Sequence, residues 1–287
     1  MVAAGVISLV NPAGLAKSVI YQPLHRDDVV SPAQWQLLFN TLQQHGFSGL
    51  IVQWARYGDS DFLQPASPLQ QALAAAISTD MQIWLGLYAD PTAFSAEAAS
   101  NRQLTISAQL AKSALLLSQL EAALPIPAAR LAGWYLPLEL YDTDLQSDIQ
   151  ISWLKHQLAA FISEADKPVA ISVFSNGQLE PAVFAQRLAL LHQPGLTVWL
   201  QDGAGAGLLS STARQQLLQR LDCRSGVIAE AFRQPQYQQA FSAEAASENT
   251  LKQSVADIKP CHPLAYFSLR YLPIAQSVLP LQDPTKP

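Results

Sequence analysis

The sequence predicts a single α/β domain, a (β/α)8 TIM barrel closed by a parallel sheet. Three observations carry this reading. Eight short apolar runs alternate with longer helix-period segments along the chain. The runs are apolar almost throughout, as strands covered on both faces must be. The 287 residues, 49% of them hydrophobic, supply one large core, and no linker-like stretch divides them. An open doubly wound sheet would want a glycine-rich turn after the first strand. That place holds Gln22-Pro-Leu-His-Arg-Asp-Asp28, which cannot cradle a phosphate.

The elements follow in order. Residues 18–23 read as the first strand. Ser31 then caps a helix, with Pro32 suited to its first turn and Trp35, Leu37, Leu38 and Leu42 on its apolar face; His45-Gly46 stops it. Residues 49–54 form the second strand. A polar loop over residues 56–61 and an alanine-rich helix over 68–78 come next. The third strand, 82–88, runs to Asp90-Pro91 and precedes one long helix over 95–124. The fourth strand, 131–139, precedes a helix near 146–165, and the fifth, 168–174, a helix near 181–192. The sixth strand, 196–202, leads into Gly203-Ala-Gly-Ala-Gly207 and a helix near 212–221. The seventh, 226–230, is followed by a short helix near 248–258, and the eighth spans 263–269. The barrel domain is thus expected over 18–275. Residues 1–17, without charge through Ala16 and interrupted by Pro12 and Gly14, read as an extension or the remnant of an export signal. Residues 276–287 read as a loose tail.

Composition excludes several functions. Seventeen basic residues stand against 22 acidic ones, a net charge of −5, so no domain-wide basic field exists for nucleic acid or an anionic membrane. No segment reads as a membrane span. Two cysteines, Cys223 and Cys261, make neither a disulfide scaffold nor a cysteine-rich zinc module, though they can form one bridge in an oxidising compartment. The five histidines show no paired ligand spacing, so no metal or organic cofactor is implied. No nucleophile elbow of the Gly-x-Ser-x-Gly kind is present.

A barrel of this type works at the C-terminal ends of its strands. Gln22 stands there on strand one, Gln53, Trp54, Arg56 and Tyr57 on strand two, and Tyr88 and Asp90 on strand three. Glu139 ends strand four, Gln201 and Asp202 strand six, and Glu230 strand seven, with Phe232 beyond. Carboxylates are scarce in this chain, yet Asp90, Glu139, Asp202 and Glu230 all fall at strand ends. Glycoside hydrolysis needs two carboxyl groups across the scissile bond, one protonated as an acid and the other attacking or activating water. Strands four and seven lie nearly opposite each other, so Glu139 and Glu230 are the expected catalytic pair. The aromatic residues at the same ends suit stacking on sugar rings. Strand parity sets Tyr135 with Glu139 and Tyr88 with Asp90, facing the site, and sends Trp134 and Trp199 under the helices. The alternating glycines after strand six read as a flexible loop that lets substrate approach Asp202.

Gly133-Trp-Tyr-Leu-Pro-Leu-Glu139, Gly49-Leu-Ile-Val-Gln-Trp54, Leu85-Gly-Leu-Tyr-Ala-Asp90 and Gln201-Asp-Gly203 resemble segments of a bacterial barrel family, the domain of unknown function 4434. The resemblance runs from about residue 18 to 271. It implies a glycoside-hydrolase-like barrel with a sugar-related role, often in the cell envelope or in exopolysaccharide systems. The placement on strands four and seven also resembles a large clan of retaining glycosidases. That clan sets Asn directly before the acid/base Glu, where this sequence has Leu138, so the usual partner for the sugar 2-hydroxyl is missing. Three readings follow: a hydrolase of a polysaccharide, an inert carbohydrate-binding barrel in an envelope system, or a structural partner in a secretion complex. The first two share a carbohydrate ligand and export to the periplasm or beyond.

Overall fold

The computed structural model describes residues 17–93, 95–122, 124–234, 243–279 and 281. Strands β1 (Lys17–Tyr21), β2 (Gly49–Val52), β3 (Gln82–Gly86), β4 (Leu131–Tyr141), β5 (Val169–Phe174), β6 (Leu196–Gln201), β7 (Gly226–Glu230) and β8 (Leu264–Phe267) close a parallel barrel, each pairing with the next and β8 with β1. Around it lie α1 (Pro32–Gln44), α2 (Pro68–Ser78), α3 (Ala96–Ser100), α4 (Arg102–Ala122), α5 (Asp148–Glu164), α6 (Pro181–Leu191), α7 (Ser211–Arg220) and α8 (Glu248–Ala256). The predicted (β/α)8 architecture is therefore the observed one.

Serine starts many of the helices. Ser31, Ser67, Ser147, Ser210 and Ser247 each accept the backbone N–H three residues on. Such a cap stabilises a helix by about 1 kcal/mol. The α1 face differs in one position from expectation: Trp35, Leu38, Phe39 and Leu42 are buried, whereas Leu37 points to solvent. Residues 35, 38, 39 and 42 share one helical face, and residue 37 lies off it. The long helix expected over 95–124 is two helices. Asn101 donates back to the Ala98 carbonyl and its own carbonyl accepts from Thr105, so it ends α3 and begins α4. Asparagine is among the residue types that favour such starts.

One residue from each strand meets in the barrel interior: Ile20, Ile51, Trp84, Tyr135, Ala170, Trp199, Ile228 and Ala265. Two tryptophans fit there because glycines face them. A Cβ on Gly133 would lie 2.5 Å from the Trp84 ring, and one on Gly226 would lie 2.3 Å from the Trp199 ring. Trp199 thus fills the barrel rather than packing under the helices, a correction to the parity argument made from Asp202. Trp134 does lie in the helix-facing layer, where its indole N–H donates to Asp166 at 3.0 Å.

The chain ends are tied in. After β1, Asp27 is fully buried and accepts from Tyr21 at 3.0 Å and from Arg270, which follows β8, at 3.0 Å. The expected extension lies outside the described residues except for Lys17, which opens β1. The tail expected to be loose from residue 276 is anchored: Leu279 is buried, and Arg26 donates to the Leu281 carbonyl at 2.9 Å. Residues 282–287 lie outside the described residues. Cys223 and Cys261 form a disulfide. Among the described residues no helix is long and apolar enough to cross a membrane.

Candidate active site

Strand alternation builds the rim from the interior layer. Two residues beyond Ile20, Ile51, Trp199 and Ile228, the same side of the chain carries Gln22, Gln53, Gln201 and Glu230. β4 reaches this level differently. Its pairing with β5 jumps from Leu136↔Ile171 to Leu140↔Val173, so residues 137–139 bulge out of register. Pro137 has no N–H to give the ladder, which favours a break there. Glu139 sits in the bulge with a φ of +44°, a left-handed conformation that strains a residue with a side chain. Two α4 side chains hold the bulge from outside: Gln109 donates to the Pro137 carbonyl at 2.7 Å, and Arg102 to the Glu139 carbonyl at 3.0 Å.

The bulge delivers the Glu139 carboxyl to Gln53, whose amide N–H donates to it at 2.6 Å. Glu139 keeps some solvent exposure, but its surroundings push its pKa from 4.5 up to about 7. Burial is the main cause, opposed by the Gln53 hydrogen bond and the Arg102 charge. The carboxyl is therefore half protonated near neutrality and able to give a proton to a bound group.

Glu230 ends β7 at 4% exposure. One of its oxygens, Oε2, accepts the backbone N–H groups of Gly205 and Ala206 at 2.7 and 2.8 Å. Gly205 permits this approach, since a Cβ there would lie 2.3 Å from the Phe232 carbonyl and 3.1 Å from Oε2. The pKa of Glu230 is raised, by burial first and then by the neighbouring Asp202 charge, against the pull of the two N–H groups. The glycine-rich segment expected to open a path to Asp202 is thus a backbone cradle for Glu230.

Among the other expected ligands, Arg56 pairs with Asp61 at 3.0 Å. Tyr57 is exposed beside Trp54, with ring centroids 4.8 Å apart. Burial raises the Tyr57 pKa, and the charges of Glu139 and Asp90 raise it further. Asp90 accepts from Thr92 at 2.7 Å and from Lys112 at 3.3 Å.

Several expected ligands are committed elsewhere. Asp202 is 1% exposed and faces the helix layer, with Oδ2 paired to Arg214 at 2.7 Å and Oδ1 accepting from Ala204 and from the Glu230 N–H. Its parity is opposite to that of Gln201, so it positions Glu230 from behind. Trp54 is buried and donates to the Pro23 carbonyl at 3.1 Å. Tyr88 turns toward α4, where Lys112 donates to its hydroxyl at 2.9 Å. Tyr135 has the inward parity expected but lies one layer below the rim, donating to Ser172 at 2.8 Å. Phe232 is buried against Phe267 and Tyr271, at centroid distances of 5.9 and 5.7 Å.

Sequence reasoning missed Phe174 and Phe267, which share the inward parity of Ala170 and Ala265 and stay partly exposed. The period-two pattern of strands five and eight contained that signal. It also missed Arg102 and Gln109, for which no local signal exists. Among the described residues, the one cluster of metal-ligand side chains lies away from this rim.

Comparison with known proteins agrees with this architecture. The chain is 33% identical to the uncharacterized protein YbcH of Escherichia coli strain K12, over 94% of this chain and 95% of that protein. Its fold is similar to that of a putative alpha-L-fucosidase from Bacteroides thetaiotaomicron, with a TM-score of 0.62 at 13% identity, covering 93% of this chain and 89% of the other. It is also similar to the exo-beta-1,4-mannosidase Op5Man5 from Opitutaceae bacterium strain TAV5, with a TM-score of 0.54 at 12% identity, covering 88% of this chain and 51% of the other. At these identities the likeness is one of fold. Residues 17–269 match a family described as Domain of unknown function (DUF4434), and the chain belongs to that family.

Proposed function

We propose that this protein is a glycoside hydrolase acting on a polysaccharide at the C-terminal rim of the barrel. The observation that carries the reading is Glu139, a strained, bulge-borne carboxyl whose pKa is raised to about 7. Strain of this kind persists where the surrounding structure enforces it, and it concentrates at functional positions. In this reading protonated Glu139 gives its proton to the glycosidic oxygen as the bond to the anomeric carbon breaks. Glu230 attacks that carbon or takes the proton of an attacking water. Gln22, Gln53 and Gln201 hold hydroxyls, and Tyr57 offers an exposed aromatic face. The fold shared with a protein described as a putative alpha-L-fucosidase and with an exo-beta-1,4-mannosidase supports a carbohydrate substrate. The Cys223–Cys261 disulfide supports export to the periplasm or beyond, because such bridges persist in oxidising compartments.

A specific observation favours a second reading, an inert carbohydrate-binding barrel. A nucleophile or base must be ionised and free, whereas Glu230 is buried, held by two N–H groups and raised in pKa. Purified protein incubated with a polysaccharide panel separates the two. The hydrolase releases new reducing ends, and Glu139→Gln, which keeps shape but loses the acid, lowers that rate by about 10²–10⁴. Binding seen by calorimetry without any product would establish the second reading instead. Equal activity in Glu139→Gln would remove Glu139 from the mechanism.

A further inference from the structure

At the opposite, N-terminal end of the barrel, Cys223 precedes β7 and Cys261 precedes β8 by three residues each. Both cysteines are exposed, and their Cα atoms are 5.5 Å apart. His262 follows directly and is 7% exposed. The two Sγ atoms and a ring nitrogen of His262 lie within 4.8 Å of one another. The histidine is oriented by a main-chain group, since its Nδ1 is 2.9 Å from the Ser225 carbonyl oxygen. A carbonyl only accepts, so Nδ1 carries the proton and Nε2 holds the lone pair. That Nε2 is buried and has no hydrogen-bond partner among the described residues.

A neutral imidazole fixed by a carbonyl on one nitrogen and presenting a bare lone pair on the other is the form that ligates metals. The charged groups around it are already occupied. Asp222 is held by Arg224 at 2.7 Å, and Lys259 donates to the Leu221 carbonyl at 2.8 Å. Neither one supplies the missing partner. In the oxidised chain the sulfurs are spent on each other, and the imidazole is left beside them.

We propose that, once the disulfide is reduced, Cys223, Cys261 and His262 bind one thiophilic divalent cation such as Zn²⁺, with a fourth position open to solvent. A dithiol reductant supplies two electrons and two protons. The S–S bond opens to two thiols, and the reductant leaves as its own disulfide. Zn²⁺ then displaces both thiol protons to solvent, giving a neutral unit of two thiolates, one imidazole and the ion. Zinc bonds of about 2.3 Å to sulfur and about 2.0 Å to nitrogen place tetrahedral ligand atoms roughly 3.5–3.8 Å apart. The present cluster reaches that spacing with local shifts of the two exposed loops. The ion then joins the same two segments that the disulfide joins, so the connection persists in reducing and oxidising surroundings alike.

The test uses the full chain, reduced with dithiothreitol, desalted without oxygen and titrated with Zn²⁺ in a calorimeter. One equivalent should bind the reduced protein and none the oxidised protein. His262→Ala should weaken binding at least tenfold, and Cys223→Ser should abolish it. Co²⁺ in place of Zn²⁺ should give sulfur-to-metal absorption bands. Thermal unfolding guards against misfolded variants: a single cooperative transition in oxidised His262→Ala shows that it folds, and Zn²⁺ should raise the midpoint of the reduced parent and not that of reduced His262→Ala. A reduced chain that binds no Zn²⁺ and gains no thermal stability from it would overturn the proposal. So would His262→Ala binding as tightly as the parent, or an oxidised chain binding equally well.

Discussion

At the scale of single residues, Glu139 combines backbone strain, a hydrogen bond to Gln53 and a raised pKa. The raised pKa has a consequence for stability whose sign is opposite to the usual carboxylate case. Below pH 4.5 the group is protonated in both folded and unfolded chains and costs nothing. Between 4.5 and about 7 the unfolded chain releases the proton while the folded chain retains it, so stability falls as pH rises; above about 7 the loss is complete. The gap corresponds to roughly 3 kcal/mol at most. Urea unfolding at pH 5 and pH 8 should therefore show Glu139→Gln gaining on the parent at the higher pH, and an identical pH response in both proteins would contradict the burial of this carboxyl. On a confirmed substrate the same group predicts a rate that declines as pH passes about 7, with that limb absent from Glu139→Gln.

At the scale of elements, the carboxyls depend on segments remote in sequence. The β4 bulge is held by α4, and Gln109, 2% exposed, donates to both the Pro137 and Tyr88 carbonyls. Gln109→Leu takes the side-chain donor from the Pro137 carbonyl, while the Tyr88 carbonyl keeps the Ser113 hydroxyl at 3.4 Å; the loss is about 1–3 kcal/mol. Denaturant midpoints should fall accordingly, and activity should fall further than stability alone explains, because Glu139 is freed from its position. The loop after β6 holds Glu230 in the same indirect way. Gly205→Ala places a Cβ 2.3 Å from the Phe232 carbonyl, a contact only backbone movement relieves. The expected outcome is a folded protein of lowered stability whose Glu230 titrates differently. A carboxyl NMR titration indistinguishable from the parent's would show that the cradle does not act on Glu230.

At the scale of the whole molecule, barrel closure is reinforced where the first and last strands meet. Arg270, 3% exposed, neutralises the fully buried Asp27, and Tyr21 adds a hydrogen bond to the same carboxylate. Arg270→Met strips a buried charge of its partner, a loss of about 3–5 kcal/mol. Chemical denaturation should register it as an earlier midpoint. A change under 1 kcal/mol would mean that water or a shifted side chain replaces the arginine.

The amino-acid sequence by itself determined the fold and which residues stand at the strand ends where the candidate site lies. Largely apolar runs such as residues 169–173, broken only by Ser172, and 226–229 have no stable home except between two layers, and serine caps mark where helices begin. Strand ends could be counted, so Glu139, Glu230, Gln22, Gln53 and Gln201 were found on the rim from residue order alone. Parity worked only while strands stayed regular. It misplaced Trp199, because Asp202, the reference used for it, faces the helix layer and pairs with Arg214. It could not anticipate the bulge at residues 137–139, whose carbonyls are satisfied by Arg102 and Gln109 from a helix about 30 residues earlier in the chain. The cradle of Glu230 and the unpartnered nitrogen of His262 are likewise invisible in composition and spacing. Local pattern encodes which face of a strand is buried. Only the folded chain decides which distant donor satisfies an acceptor, and that choice sets whether a carboxyl is a ligand, a support or an acid.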